Sequence, residues 1–201
     1  MKKIILFLAL ALCYNSIYSQ KKKTPQKTTS SVLAKFENLS VEIIKNNLCL
    51  LILNKEAKKD TIVLKNSIEN SLPKECKILP FSAKNVKLYN ISWIENKVTE
   101  TKLKIEDATT VFTEICELAS KTKLLSNAQT TTKIKEIHFL DAKQTVSETI
   151  QKVRNEGSVL SLTKEGDVIL KNKTQENKLT YNPTENKFVN ASISTQTKKK
   201  K

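Results

Sequence analysis

The chain has 201 residues and a net charge of +15, from 35 lysines and arginines against 20 acids, with one histidine and two glycines. Two glycines, Gly157 and Gly166, exclude a phosphate-cradling loop, a dinucleotide fingerprint and a G-x-S-x-G nucleophile elbow, all of which need glycine where the backbone turns sharply or meets a phosphate. The single histidine excludes HExxH zinc chemistry and any multi-histidine metal cage.

Met1-Lys2-Lys3 is a short positive start, Ile4 to Leu12 an apolar run, and Ser19-Gln20 a small residue before a polar one. That three-part pattern predicts a cleavable signal peptide over 1–19. The apolar run falls short of the roughly 20 residues a spanning helix needs, so no transmembrane segment is expected after cleavage. The expected destination is the periplasm, the cell envelope or the extracellular space.

Removing the leader leaves 33 − 20 = +13. Lys21, Lys22, Lys23 and Lys27 at one end and Lys198 to Lys201 at the other hold eight of those charges. Residues 20–31 and 194–201 therefore read as basic disordered tails around one domain over 32–193. Arg154 is the only arginine. Lysine lacks the planar fork that grips guanine edges, so sequence-specific nucleic-acid reading is not expected. The partner the charge suits is an anionic envelope polymer, with an envelope protein as the other candidate.

Along the chain, Val32, Phe36, Leu39 and Ile43 step by four, three and four, which predicts a helix ending near Asn46-Asn47. Leu48 to Asn54 and Asp60 to Lys65 read as strands, and Lys77 to Leu79 as a short one. Asn85 to Asn96 reads as extended, with Tyr89, Ile91 and Trp93 on one face and Val86 out of phase with them. Lys97 to Ile105 also alternates, and 94–97 suits a hairpin turn. Ala108, Val111, Phe112, Ile115, Cys116 and Ala119 form an apolar face at helical spacing, with Asp107 as N-cap. Lys133 to Leu140 reads as a strand. Thr145 to Glu148 looks like a capping box, followed by Ile150 and Val153 and ended by Gly157, a third helix. Strands at 158–163, 167–170, 179–181 and 188–191 complete the chain. The expected fold is α+β, a mostly antiparallel sheet with two to three helices.

The best ligand-binding candidates are Tyr89 and Trp93, a stacking platform for sugar rings or bases, with core packing as the alternative. Glu136 and His138, two apart on a strand, share a face and could form a histidine–carboxylate pair. Ser120 to Lys123 matches S-x-x-K, as do Ser71 to Lys74 and Ser161 to Lys164, the frequency chance supplies in a lysine-rich chain. Glu114 and Glu117 are expected on a solvated helix face. Cys13 leaves with the leader, and Cys49, Cys76 and Cys116 allow at most one internal disulfide, with no CxxC for a redox pair or zinc knuckle. No metal, cofactor or catalytic residue is expected. The composition points to an exported envelope or periplasmic binding or accessory protein without catalytic activity. The alternative is a small exported hydrolase whose active site the sequence does not reveal.

Overall fold

A computed structural model describes residues 31–54, 59–68 and 71–191. The expected signal peptide, nearly all of the expected N-terminal tail and the whole expected C-terminal tail fall outside these residues. Ser31, placed by the sequence at the end of the first tail, begins a strand.

The described residues are all-β, which corrects the α+β expectation: thirteen strands and no helix. They form three sheets in which each strand pairs antiparallel with its sequence neighbour. The N-terminal sheet is β1 (Ser31–Phe36), β2 (Leu39–Ile44), β3 (Asn47–Leu53) and β4 (Lys59–Lys65). The central sheet is β5 (Lys74–Ala83), β6 (Val86–Glu100), β7 (Lys104–Glu117), β8 (Thr122–Phe139) and β9 (Ser147–Gly157). The C-terminal sheet is β10 (Val159–Leu162), β11 (Val168–Lys171), β12 (Glu176–Asn182) and β13 (Lys187–Asn190).

The first expected helix is a hairpin. Phe36 pairs with Leu39 across a two-residue turn at Glu37-Asn38, with Glu37 at φ 50°. The four-three-four spacing arises because two alternating strands meet at that turn. The next hairpin turns on Lys45-Asn46 and the β5–β6 hairpin on Lys84-Asn85, all four residues at positive φ. Two consecutive positive-φ residues are the geometry whose twist matches paired strands, and asparagine tolerates it.

The second expected helix is β7. In its C-terminal half both sheet faces are covered, so the two-residue alternation of a half-buried strand disappears and apolar residues fall at helical spacing by coincidence. Thr109, Thr110, Val111, Thr113 and Ile115 are β-branched, which favours the extended chain. The third expected helix is β9. The apparent capping box is the end of a loop running into β9, in which Asp141 accepts hydrogen bonds from the Thr145 hydroxyl (2.6 Å) and from the Thr145 and Val146 N–H groups (both 2.9 Å). The expected turn at 94–97 is also absent. β6 runs on to Glu100, and its ladder with β7 is unbroken from Tyr89–Cys116 to Glu100–Ile105.

The central sheet organises the molecule. The N-terminal sheet covers one face of one half of it. Val41, Leu48, Leu50, Ile62 and Leu64 there pack against Ile78, Tyr89, Ile91, Trp93 and Cys116. The C-terminal sheet stands on the other face of the same half. Its Val168 and Tyr181 pack against Ala83, Leu88 and Ile115, and Val86 joins this second cluster. Fully burying one such large apolar side chain contributes roughly 1.5–3 kcal/mol. The other half of the central sheet, from about Glu95 to Thr110 and Thr130 to Asn155, projects beyond both. Val98, Ile105, Ile137, Phe139 and Val153 stand exposed on its second face.

Candidate functional site

A cavity of about 810 Å³ lies where the C-terminal sheet rises from the central one. It exists because of strand alternation. On β10, β11 and β12 one set of residues (Leu160, Leu170, Leu179) packs on the central sheet. The alternate set (Val159, Ser161, Ile169, Lys171, Glu176) faces the cavity. The opposite wall is Gln129 of β8 with Asn155 and Gly157 of β9, and the β11–β12 turn (Asn172, Lys173, Thr174) closes one end.

Gly157 makes the junction. Its φ is +80°, and a Cβ there would lie 2.2 Å from the Ala128 carbonyl oxygen, so only glycine lets the chain leave β9 this close to β8. The polar groups are pre-positioned. Gln129 Nε2 donates to Thr131 Oγ1 (3.1 Å), and that hydroxyl donates to Asn155 Oδ1 (2.9 Å). Asn172 Oδ1 accepts from the N–H groups of Thr174 (2.9 Å) and Gln175 (2.8 Å), fixing the turn. Lys171 and Glu176 pair at 2.9 Å. The Asn155 amide nitrogen, the Ser161 hydroxyl and the Lys173 ammonium have no partner among the described residues, and each is a donor. The cleft is therefore a neutral, hydrogen-bonding channel with an apolar strip (Val159, Ile169) and a positive rim.

The four residues singled out in the sequence, Tyr89, Trp93, Glu136 and His138, lie on one face of the central sheet, the face away from this cleft. They are not brought together. The row holding Trp93 continues through Phe112 to Ala128 of β8, and Glu136 is eight residues further along, roughly 26 Å at ~3.3 Å per residue. Tyr89 and Trp93 are buried under the N-terminal sheet, 5% and 1% exposed. Trp93 stacks on Phe112, and its Nε1 donates to Glu95 Oε1 at 2.8 Å. Phe112 and Glu95 in turn line a smaller cavity of about 260 Å³ with Lys65 and Thr110.

Glu136 and His138 lie on the uncovered half. His138 Nε2 is 3.2 Å from Glu136 Oε2, a close pair whose ring N–H lacks hydrogen-bond alignment, and Lys152 Nζ is 3.7 Å from the same oxygen. His138, followed by Lys152 and Lys104, holds the Glu136 carboxyl below its ordinary range. The pair is an element of a surface charge lattice that includes Lys104–Glu106 (2.8 Å) and Arg154–Glu106 (3.8 Å).

Of the acids expected in solvent, Glu114 is buried, because residue 114 belongs to a strand and points under the N-terminal sheet. It is 7% exposed, accepts from Ser126 Oγ at 2.5 Å and lies 3.7 Å from Lys123 Nζ. Burial pushes its pKa up. Glu117, Ser120 and Thr122 gather instead around the Asn186 amide, whose Nδ2 is 2.9 Å from Glu117 Oε2. Cys49, Cys76 and Cys116 are free thiols. Burial raises Cys76 to about 11, with help from Glu95, and Cys116 to about 12, so both are protonated, unreactive thiols at neutral pH.

Sequence reasoning missed the cleft because its residues are ordinary polar and apolar positions from five strands and a turn. The one local signal was Gly157, read as a helix cap when it marks a kink between strands. No model of a known protein family, no curated protein and no solved structure matches this chain.

Proposed function

We propose that this is an exported binding or accessory protein of the cell envelope or periplasm, without catalytic activity, and that it holds a stretch of anionic envelope polymer in the cleft. The observation that carries the reading is the cleft itself. At about 810 Å³ it is within the ~300–1,000 Å³ range of ligand sites. Its donors are Asn155, Ser161 and Lys173. These suit a hydroxyl-rich chain carrying scattered negative charge, with Val159 and Ile169 supporting the ring faces. Lysine excess over the whole chain raises the local concentration of such a polymer.

The test is calorimetric titration with alginate, a carboxylated glycan, and with neutral dextran as control. Alginate is expected to bind with an affinity that falls with salt, and both Lys173→Glu and Asn155→Ala are expected to weaken it at unchanged melting temperature. Binding that ignores both substitutions, or no binding to alginate, would defeat the cleft as the site. Fractionation of native cells, with N-terminal sequencing of the recovered chain, tests the export step separately.

A further inference from the structure

A sheet edge presents unpaired N–H and C=O groups that can recruit another strand, and proteins ordinarily blunt such edges. Among the described residues, five of the six edges are blunted or short. β1 carries a register break at Val32/Ala34, and β4 belongs to a ladder broken at Leu48/Cys49. β5 holds Pro80, which has no N–H, beside a further break at Lys74/Lys77. β10 and β13 have four residues each. β9 differs. It has eleven residues, contains no proline and pairs with β8 from Phe139–Ser147 to Gln129–Gly157 without a break. All of its residues except Ile150 are exposed.

We propose that β9 is a homodimer interface, pairing antiparallel with β9 of a second copy to join the two central sheets into one. A two-fold axis normal to the sheet keeps each face on its own side, so only residues of the same parity can oppose each other. With Gln151 opposite itself, Ser147 to Asn155 is paired throughout. Glu148 then faces Arg154 of the other copy, twice by symmetry, and Thr149 faces Val153. Glu148 has no cationic partner in its own chain among the described residues. Shifting the axis to Lys152 opposes Lys152 to itself and Glu148 to Glu156. Shifting it to Ile150 opposes Glu148 to Lys152, but it shortens the paired stretch to Ser147 to Val153 and leaves Arg154 opposite Val146. Charge order rules out the Lys152 axis and the longer paired stretch favours Gln151 over Ile150, so the two together select one register, and a second copy of this chain is the partner that fits it. The proposal is independent of what the cleft binds.

Sedimentation velocity over a concentration series reads the proposal directly. The wild-type chain is expected to show a monomer–dimer equilibrium. Arg154→Glu and Glu148→Arg are each expected to raise the dissociation constant about tenfold or more, since each opposes like charges at two sites, and the double exchange is expected to recover dimerisation. Circular dichroism checks that the variants fold. A second readout does not depend on charge: under mild oxidation Gln151→Cys should cross-link two copies, while Thr149→Cys, facing Val153, should not. A wild-type chain that stays monomeric into the hundreds of micromolar overturns the proposal. So does a dimer indifferent to both charge reversals, or cross-linking that is equal at 149 and 151.

Discussion

Trp93 of β6 lies flat on Phe112 of β7, ring centroids 5.2 Å apart and planes 13° from parallel. Lys65 Nζ sits 4.4 Å above the Phe112 ring and 2.6 Å from Glu95, the acid that also accepts the indole N–H. One stacked pair thus joins the N-terminal sheet to the central sheet through apolar contact, a cation over a ring and a charge-assisted hydrogen bond. Trp93→Ala would empty the largest fully buried side chain and leave Glu95 without one of its donors. A loss of about 3–5 kcal/mol is expected, measured by urea denaturation followed by circular dichroism. Trp93→Phe should keep the stack and lose clearly less.

Glu114 supplies a pH test with an unusual sign. Burial raises its pKa in the folded protein, so over the window from the ordinary carboxylate range upward the native state binds more protons than the unfolded one. By linkage its contribution then falls as pH rises through that window and levels off above the folded pKa. Glu114→Gln keeps an acceptor for Ser126 and removes the ionisation. It is expected to be more stable than wild type at neutral pH, with the gap closing in acid. Urea midpoints of the two proteins across the acid range check this; a gap that stays constant would contradict it.

Asp167 has the opposite sign. Lys178, 2.8 Å away, holds its carboxyl below the ordinary range, opposed by partial burial and aided by a hydrogen bond from Thr180. The stability it contributes is fully present above the unfolded pKa and is lost as pH falls through the folded one. Asp167→Asn should therefore destabilise the C-terminal sheet at neutral pH and differ little from wild type in strong acid. Amide exchange in β11 and β12 at the two extremes reads the difference locally.

The strands legible in the sequence are those with one strong signal: the apolar run in β3, the alternation in β4 and in the C-terminal part of β8 from Lys133, the short hairpins after Gly157; the polar N-terminal part of β8 read as a loop. The face shared by Tyr89, Ile91 and Trp93 follows from parity alone, and so does the separation of Val86 from it. Two of the three misread helices have a common cause. Alternation reports a strand covered on one side only. β7 is covered on both sides in one half, so Ala108, Val111, Phe112, Ile115 and Cys116 mimic a helix. β9 is covered on neither, so Ile150 and Val153, which lie on opposite faces, look like successive helical turns. The Lys-Asn turns at 45–46 and 84–85 were the missed local signal. The cleft needs the fold before its residues meet, and nothing near Gln129 or Ser161 marks them as neighbours.

The two glycines carry the last prediction. Gly166, at φ +83°, turns the β10–β11 hairpin against the β5–β6 hairpin, and a Cβ there would meet the Ser82 carbonyl oxygen at 2.2 Å and Ala83 Cα at 2.7 Å. Both contacts are backbone, so neither can yield by a side-chain rotation. Gly166→Ala adds the ~1–2 kcal/mol cost of a left-handed L-residue to a separation of the two sheets, and a total loss above about 2 kcal/mol is expected. At Gly157 the clash is with β8 itself, so Gly157→Ala should also move the wall that bears Asn155. The two substitutions then divide. Gly166→Ala lowers stability with the cleft residues in place, while Gly157→Ala lowers stability and also weakens alginate binding at a temperature where the variant is still folded. Melting curves paired with titrations at that temperature separate them, and equal binding by both variants would show that the junction at Gly157 does not shape the cleft.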